Sequence, residues 1–600
     1  MASVGTTQPA MPAMFELGTL DNLGATHRLF GIVAASIAIA LYALYQYLLP
    51  KPIAGIPFNA SALQSIFGDI PAMLKNCNGT PLGWMASQGQ RCNSPIFQLF
   101  VMPFSKPSVV VSDFREAQDI LMRRKEFDRS DMTIDLLGGE IPQFHINLKT
   151  GPEWKGHRRL LQDLMTPQFL NRVAAPNIYT SATHLVDLWK TKARIADGRP
   201  FSAEQDIYFT ALDAVLDFGF SDSYPHRALK PQLELLRALE DQPVQPARNL
   251  LVDPIEFAVV QPHESIQAIL AAGDTIQDIA DSGFVRLAWW WKGLQPRERK
   301  FVKMRAEFAK EQAALAINKL NKDTDEENES WVKSAVELVI QRERKFARKE
   351  GRDPVYWSPV MKDELLGFIT AGHDTTSTTL CWGVKLLADC EHAQTRLRQE
   401  LWAAHAKAHA ENRAPSHNEI SKTKIPYLDA VIEEILRLAH TVSVIERQCT
   451  QDTVILGHHI PEGTLVLLPN SGPSFTSPPI AIDEKLRSET SQLAAKERGI
   501  RLWPVDDMEA FRPERWLVLD KETGEEAYDA TAGPAIPFGL GTRGCFGRKL
   551  AYLEMRLLVS LIIWNFELLP CDKEISSYEH IEGITSRPKQ CYVRLGRVTA

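Results

Sequence analysis

The loop around Cys545 combines residue types that could bind iron through sulfur. Residues 538–547 read FGLGTRGCFG, with Arg543 just before the cysteine and a helical pattern over about 546–565 just after it. The glycines allow a close backbone approach, and the start of the helix favours an ionised thiol. A thiolate ligand gives electron density to heme iron and favours O–O cleavage. The loop therefore predicts a heme-thiolate site in which Arg543 pairs with a heme propionate. The alternative is a structural cysteine buried beside a turn.

A second group of reactive residues lies in an apolar segment that reads GFITAGHDTT at 367–376. Ala371 and Gly372 are small and leave room for dioxygen. The Thr375 hydroxyl can bond back to the preceding helical turn and distort it. Asp374 can pass protons inward through water. We interpret His373 as a lining or solvated residue rather than an iron ligand. The alternative is that these polar residues face solvent.

Two pairs of residues have helical spacing. Trp154 and Arg158 are four apart, and Glu434 and Arg437 are three apart, so each pair shares one helix face. A further arginine, Arg515, lies downstream in the segment FRPERW. The Glu434–Arg437 pattern alone is common in helices, so its position about 110 residues before Cys545 carries the argument.

In order, the motifs W-x-x-x-R, A-G-x-D-T-T, E-x-x-R, P-E-R-W and F-x-x-G-x-R-x-C-x-G resemble those of the cytochrome P450 family over about residues 51–600. The resemblance implies a mainly α fold with small β-sheets and heme b ligated by the Cys545 thiolate. It implies oxygen chemistry by Asp374 and Thr375 and a bracing cluster of Glu434, Arg437 and Arg515. The residues that it assigns to heme binding are Trp154, Arg158, Arg447, Phe538, Arg543, Cys545 and Gly547. The chain departs from the family pattern at Trp516, where a phenylalanine is usual, and in the proline-free loop after Arg437.

The segments that would surround the substrate are apolar, which favours a lipophilic terpenoid, steroid-like or polyketide skeleton. A pocket of this kind gains about 25 cal/mol per Å² of apolar surface buried. The predicted lining residues are Phe368, Ile369, Ala371, Val442, Val444, Ile445 and Ile584.

The family resemblance implies monooxygenation, as hydroxylation, epoxidation or a multi-step oxidation in fungal secondary metabolism. Electrons would come from NADPH through NADPH–cytochrome P450 reductase docked on the cysteine side, with cytochrome b5 as a second candidate donor. Three alternatives stay open: a heme-thiolate isomerase or dehydratase, an unrelated cysteine-ligated peroxidase, and a non-enzymatic heme sensor or carrier. The Asp374–Thr375 pair argues against the first, and the Glu434 cluster against the second.

The elements that must position these residues are mostly helical. A β-hairpin is predicted over 95–112 with a helix near 113–124. Residues 322–329 are acidic and predict a solvated linker, while 471–502 are polar and resemble an insertion. Further helices are predicted near 154–167, 203–219, 297–321, 358–389, 391–410 and 427–439.

The N-terminal region predicts a membrane anchor. Residues 29–49 are uncharged, and 21 residues at about 1.5 Å each match a hydrocarbon core of about 30 Å. A tail over 1–28 precedes this span, a proline-rich hinge over 50–57 follows, and residues 58–600 form the catalytic domain. The anchor resembles that of single-pass endoplasmic-reticulum members with a cytosolic domain. Trp289, Trp290 and Trp291 predict a membrane-facing loop, and core packing is the alternative.

Composition excludes one class of function. The net charge is −7, whereas nucleic-acid-binding proteins usually carry a basic footprint. The eight cysteines form no C-x-x-C pair, so they predict neither a zinc site nor a disulfide framework. Free thiols fit a reducing compartment.

Overall fold

The computed structural model describes residues 18–239, 252–322, 330–499 and 503–598. Helices dominate these residues. Their bounds are α1 Gly18–Leu48, α2 Ile70–Asn76, α3 Pro81–Arg91, α4 Phe114–Met122, α5 Asp131–Gly138, α6 Pro152–Leu161, α7 Pro167–Phe169, α8 Ala175–Ala196, α9 Glu204–Phe220, α10 Leu229–Leu239, α11 Glu264–Asp281, α12 Val285–Leu294, α13 Pro296–Lys322, α14 Ala335–Glu350, α15 Pro359–Asp389, α16 Glu391–Ala404, α17 Ala406–Ala410, α18 His417–Lys422, α19 Pro426–Ala439, α20 Glu489–Arg498 and α21 Arg548–Asn565.

The strands are short and form small sheets. The largest sheet has the order β1-β2-β8-β5-β3, with β2 and β8 parallel and the other neighbours antiparallel. The prediction of a mainly α fold with small β-sheets is therefore confirmed. The strand bounds are β1 Ile96–Leu99, β2 Ser108–Val111, β3 Phe127–Asp128, β4 Phe201–Ser202, β5 Val444–Cys449, β6 Thr453–Ile455, β7 His458–Ile460, β8 Leu465–Pro469, β9 Leu517–Leu519, β10 Glu526–Tyr528, β11 Phe566–Leu569, β12 His580–Glu582, β13 Ser586–Pro588 and β14 Tyr592–Arg597.

Helix α15 is the central element of the core. Its N-terminus follows from sequence: the Ser358 side chain accepts a hydrogen bond from the Met361 N–H, and Pro359 occupies the first turn. The helix packs lengthwise on α9, α19 and α21, and their apolar side chains form the largest core cluster. Because α15 is enclosed on several sides, the apolar pattern of its sequence does not show which face meets which neighbour.

The segment predicted as an insertion carries its own structure. It contains a 3-10 turn over Glu484–Leu486 and the helix α20, while residues 500–502 lie outside the described residues. The buried Arg487 guanidinium contacts Asp113 at 2.7 Å and Glu116 at 3.1 Å, both in or beside α4. The segment is therefore fastened to the domain through buried charges. The predicted acidic linker lies outside the described residues over 323–329.

Helix α1 contains the predicted anchor. Residues His27–Leu48 are long and apolar enough to cross a membrane, with a mean hydropathy of 1.9 and none of the span buried against the domain. The hinge that follows is fixed to β1 by the buried Gln98 side chain. Its amide accepts from the Ile53 N–H at 2.8 Å and donates to the Ile56 carbonyl at 2.8 Å. The segment between the anchor and the domain is therefore fixed to the domain by hydrogen bonds. Residues 1–17 of the predicted tail lie outside the described residues.

Candidate functional site

The cysteine loop is shaped by two glycines with positive φ. Gly539 has φ +61° and Gly541 has φ +68°, a region that favours glycine. A Cβ on Gly541 would lie 2.1 Å from the Leu121 carbonyl oxygen, so only glycine fits against the end of α4. The Cys545 N–H donates to the Phe538 carbonyl at 2.8 Å, which closes the loop. Cys545 is left accessible just before α21.

The surroundings of the Cys545 sulfur act on its charge in opposite directions. Although Cys545 is accessible, the protein atoms packed around its sulfur limit hydration and raise the pKa of the thiol overall, while the Gly547 and Arg548 N–H groups and the nearby Arg158 charge favour the thiolate. The predicted helix start at about 546 is corrected to Arg548, with Gly547 as the N-cap. N–H groups at the start of α21 therefore lie next to the sulfur. Phe538 stands beside them, with its ring 5.3 Å from that of Tyr552.

Guanidinium groups from three elements gather near the loop. Arg543 lies in the 3-10 turn Gly541–Arg543, Arg447 on β5, and Arg129 just after β3. Burial, together with the mutual repulsion of these cations, lowers the pKa of Arg447 to about 9 and that of Arg543 to about 10. Asp128 and Glu446 lie among them, so positive charge remains in excess. Arg129 was missed by sequence reasoning, because its segment has no spacing that signals such a role.

Two of these guanidiniums keep buried N–H groups without a partner in the described part of the chain. They are Nη1 of Arg543 and Nε of Arg129. Buried donors are nearly always paired in folded proteins, so these two arginines are expected to bind anionic acceptors. Two carboxylates such as the propionates of heme match them in charge and in hydrogen-bonding capacity. The residues present therefore fit a heme group next to Cys545.

Trp154 and Arg158 lie on α6 beside this cluster, as their spacing predicts. The Arg543 guanidinium lies 4.8 Å from the centre of the buried Trp154 ring, and that of Arg158 lies 4.8 Å from the Phe546 ring. Cation–π contacts of this kind are worth about 0.5–2 kcal/mol. They hold both arginines close to the cysteine loop.

On α15 the predicted backward bond of Thr375 is present, since its Oγ1 donates to the Ala371 carbonyl at 3.0 Å. Ala371 itself is accessible. The role predicted for Gly372 is wrong, because this glycine faces α9. A Cβ there would lie 2.8 Å from Cγ2 of Val215, so its small size allows the two helices to pack closely.

The neighbours of Thr375 also differ from expectation. His373 is neither a lining nor a solvated residue. It is 3% exposed, its ring contacts the Tyr208 hydroxyl at 3.1 Å, and burial lowers its pKa. The Asp374 carboxylate accepts a hydrogen bond from the Thr585 hydroxyl at 2.8 Å, a partner that no local pattern indicates.

The structure brings Glu434, Arg437 and Arg515 together. Arg437 makes two 2.8 Å bonds to the fully buried Glu434 carboxylate, and Nε of Arg515 lies 3.3 Å from it. Trp516 adds a fourth contact, since its indole N–H donates to Glu434 at 2.9 Å. Trp503 covers both arginines with its ring 5.2 Å and 5.3 Å from their guanidinium carbons. The two tryptophans were not predicted as members of this cluster.

The residues predicted to line the pocket differ in exposure and in what they contact. Ala371, Val442 and Ile584 are accessible. The prediction for Ile369 is wrong, because it is 1% exposed and packs in the core. Phe368 stacks on Phe218 of α9 at 5.2 Å, so its ring is directed at that helix.

The remaining two pocket candidates are consecutive residues of β5, so their side chains point to opposite faces. Val444 packs in a cluster with Trp84 and Phe97. Ile445 packs in a different cluster. Its Cδ1 lies 3.9 Å from where a Cβ on Gly539 would stand, which places it beside the cysteine loop.

A buried carboxylate with two imidazoles lies next to the predicted heme site. Glu364 of α15 is fully buried and contacts Nδ1 of His145 at 2.7 Å and Nδ1 of His157 at 3.0 Å. Burial opposes the charge of Glu364, but the bonds to the two histidines hold its pKa below the usual range. The bond to Glu364 raises the pKa of His157. His157 is itself buried, on the same helix as Trp154 and Arg158.

The tryptophan run is helical rather than a loop, since it lies within α12. Trp289 points inward, where its ring covers Gly139 and its N–H donates to the Leu136 carbonyl at 3.1 Å. Trp290 and Trp291 are 61% and 60% exposed. The run therefore divides between Trp289, which is half-buried against the end of α5, and an outward apolar face of Trp290 and Trp291.

A cleft of about 910 Å³ lies beside the cysteine loop. The segment 538–540 forms one wall, together with Arg548 and Tyr552 of α21. The opposite wall comes from α4 and from residues of the inserted segment, including Ile480 and Arg487. The insertion therefore shapes the surface of the domain on the cysteine side.

Comparison with known proteins agrees with this geometry. The family model described as Cytochrome P450 matches residues 84–472 and 502–595 and leaves out most of the segment predicted as an insertion. The chain is 43% identical over 579 residues to "Cytochrome P450 monooxygenase TRI13" of Fusarium sporotrichioides, which covers 94% of this chain and 98% of that protein. It is 38% identical to "Cytochrome P450 monooxygenase GME11363" of Pestalotiopsis microspora, covering 94% of this chain and 98% of that protein. It is also 38% identical to "Cytochrome P450 monooxygenase xilC" of Penicillium rubens, covering 95% of this chain and 96% of that protein.

Proposed function

The chain belongs to the cytochrome P450 family and is a heme-thiolate monooxygenase, and on this premise we propose that Cys545 is its iron ligand and that its substrate is lipophilic. One observation carries the site assignment. An accessible cysteine stands in a glycine-shaped loop beside buried arginines whose N–H groups are not all paired within the described residues. When bound, heme activates dioxygen so that one oxygen atom enters the substrate and the other leaves as water.

The arginines orient the cofactor in this proposal. Arg447 and Arg543 would pair with the propionates, Arg129 would supply additional positive charge, and Arg158 would approach from α6. The Trp154 ring lies 4.8 Å from the Arg543 guanidinium and supports it. Bidentate pairing of a guanidinium with a carboxylate would fix the heme in one orientation, because the planar fork matches the two oxygens.

Asp374 and Thr375 deliver protons. Their position on the accessible stretch of α15 beside Ala371 supports this role. The Thr375 hydroxyl is held on the Ala371 carbonyl, and the neighbouring Asp374 supplies an acid from the same turn. Release of one oxygen atom as water takes up two protons and two electrons. The pair argues against an isomerase or dehydratase, which takes no external electrons.

The Glu434, Arg437 and Arg515 cluster braces the cysteine loop without touching substrate. Glu434 also accepts from the Arg512 N–H at 3.0 Å, and Arg437 donates to the Met508 carbonyl at 2.8 Å. These bonds tie α19 to the segment that leads into the loop. Breaking one member of such a buried set typically costs about 3–5 kcal/mol.

The protein is held on the endoplasmic reticulum by α1, with its domain in the cytosol. The exposed span of α1 and the outward tryptophans of α12 support membrane contact. Electrons come from NADPH–cytochrome P450 reductase, assisted by cytochrome b5, docked on the cysteine side. A terpenoid, steroid-like or polyketide substrate enters from the bilayer, in a pathway of fungal secondary metabolism.

The ligand assignment is tested with Cys545→Ala. The wild-type protein should give the red-shifted Soret band of a thiolate-ligated, carbon-monoxide-bound ferrous heme, and Cys545→Ala should lose it. Cys591→Ala, at a buried cysteine of the same chain, is the matched control and should keep the band. A band unchanged in Cys545→Ala would refute the assignment.

A further inference from the structure

The hairpin of β12 and β13 is bonded to one face of α15. The Thr585 hydroxyl donates to Oδ2 of Asp374 at 2.8 Å, and the indole N–H of Trp382 donates to the Ser586 carbonyl at 2.8 Å. Between them, the Thr378 hydroxyl donates to that of Thr585 at 3.4 Å. The α15 residues 374, 378 and 382 are spaced by four and lie on one face. The hairpin tip is therefore aligned along the helix that carries the proposed proton donor.

The direction of these bonds is set by what each group can do. Asp374 as a carboxylate only accepts, so the single hydroxyl proton of Thr585 points to it. The Thr585 oxygen is then left to accept from Thr378. Thr585 is 7% exposed, and a bond to an ionised group in such a place is about twice as strong as a neutral one. Thr585 therefore fixes the direction of the Asp374 carboxylate.

The hairpin tip is also bonded to residues outside α15. Oε1 of Gln277 on α11 accepts from the Ile584 N–H at 2.7 Å. A Cβ on Gly583 would lie 2.4 Å from the same oxygen, so the backbone sits closely against Gln277. The Ser586 N–H donates to the Thr441 carbonyl at 2.9 Å. The tip has little freedom to move without changing its bonds to α15.

The residue next to Thr585 is accessible. Ile584 is 39% exposed, although the backbone around it is bonded on both sides, and it is one of the proposed pocket residues. A molecule that presses on Ile584 would shift Thr585 directly, because the two residues are adjacent. That shift would reach the Asp374 carboxylate through the hydrogen bond from the Thr585 hydroxyl.

We propose that Thr585 is a positioning residue for proton delivery and that it links the contact of substrate with Ile584 to the orientation of Asp374. This rests on the proposed function. Removing the hydroxyl frees the carboxylate to turn away, so protons arrive late and reduced oxygen is released as hydrogen peroxide. The link would make the yield of product per electron depend on how a substrate meets Ile584.

The test compares Thr585→Val, which keeps the shape and removes the donor, with Thr585→Ser, which keeps the donor. The full-length heme-loaded protein is reconstituted with reductase and the fluorogenic lipophilic probe 7-ethoxycoumarin. We expect Thr585→Val to lower product per NADPH by about tenfold, since a bond to a charged group is worth about that factor in rate. Peroxide per NADPH should rise, the solvent deuterium isotope effect should increase, and Thr585→Ser should restore all three.

Two further measurements separate positioning from structural damage. Oxidation of the probe driven by added hydrogen peroxide, which brings its own two protons, should proceed at the wild-type rate in Thr585→Val. Hydrogen–deuterium exchange of segment 580–588 in the resting protein should be faster in Thr585→Val than in Thr585→Ser. Ile584→Ala should lower product per NADPH for 7-ethoxycoumarin while leaving the exchange unchanged.

Three results would overturn the inference. One is a Thr585→Val protein with wild-type product and peroxide yields. Another is an equal loss of the NADPH-driven and peroxide-driven reactions, and the third is a failure of Thr585→Ser to restore the yields. A wild-type protein without the thiolate carbon-monoxide band would instead refute the proposed function.

Discussion

Trp516 shows how one residue can change a buried charge cluster. A phenylalanine, usual in the family, would fill most of its volume but could not donate to Glu434. Here the indole N–H lies 2.9 Å from the carboxylate, and the side chain is fully buried. The ring also meets that of Trp503 edge-on at 5.0 Å. The indole is therefore both a donor and part of the cover over the cluster.

We predict that Trp516→Phe destabilises the protein by about 1–3 kcal/mol, because a buried carboxylate loses one donor. Its thermal unfolding midpoint, followed by circular dichroism, should fall, and heme should be released at a lower temperature. The matched control is Trp402→Phe on α16, where the ring stacks on His409. Equal midpoints for the two variants would contradict the role given to the indole N–H.

At the scale of elements, Glu364 joins three parts of the chain. It lies on α15, His157 lies on α6, and His145 belongs to a short 3-10 turn before α6. A carboxylate shared by two imidazoles keeps these parts in register beside the cysteine loop. The stability that it provides depends on pH, because both kinds of group titrate.

The sign of this dependence follows from the pKa shifts. The pKa of His157 is raised by folding, so its contribution is complete below about 6.5 and is lost as pH rises through the folded value. The pKa of Glu364 is lowered, so its contribution is present above about 4.3 and is lost as pH falls through the folded value. The stabilisation is therefore greatest in the mildly acidic range.

We predict that Glu364→Gln lowers the free energy of unfolding by about 1–3 kcal/mol near pH 6, and by less at pH 8.5. Thermal midpoints of both proteins measured from pH 5.5 to 8.5 test this. Glu391→Gln, at the exposed start of α16, serves as the control. A difference between wild type and Glu364→Gln that grows toward alkaline pH would show that the sign is wrong.

The elements themselves could largely be predicted from the sequence. The helix predicted over 358–389 is α15 at Pro359–Asp389, and the one over 203–219 is α9 at Glu204–Phe220. Both have caps or long periodic patterns, which are local signals. Which neighbouring element Gly372 and Ile369 face could not be predicted from local signals, because α15 is apolar around most of its surface.

Contacts between distant segments were beyond prediction for a different reason. Thr585 lies 211 positions after Asp374, and Trp516 lies 82 positions after Glu434. Each pairing depends on how whole elements pack, and no spacing rule covers such separations. The Glu434–Arg437 pair was predictable because three positions on one helix fix its geometry.

For the whole molecule, the outward tryptophans and α1 bear on how the domain meets a membrane. Trp290 and Trp291 share α12 with Leu287, which is 62% exposed, so an apolar surface is presented to the outside. Tryptophan is favoured where one side is apolar and the other is wet. This apolar surface supports the proposed contact of the domain with the membrane.

We predict that Trp290→Ser with Trp291→Ser weakens vesicle binding of a chain lacking residues 1–49 by about tenfold or more, since each indole buries a large apolar area. Flotation with phosphatidylcholine vesicles measures this binding, and the apparent Michaelis constant for a lipophilic probe should rise. Trp289→Phe is the control, because Trp289 packs on Gly139. Equal flotation of the double variant and the control would exclude α12 from the contact.

The buried ion pairs of Arg487 with Asp113 and Glu116 limit how this protein can be shortened. Excising the inserted segment to obtain a smaller, crystallisable enzyme would remove the cation that faces Asp113 and Glu116. It would also remove the Ser488 and Thr490 hydroxyls that donate to Asp119 at 2.6 Å and 2.9 Å. Asp113 and Glu116 would then lose the Arg487 guanidinium, while Asp119 would keep only its ion pair with Arg123 at 3.1 Å. A minimal version therefore needs compensating neutral residues at those positions, so the insertion and α4 have to be redesigned as a single unit.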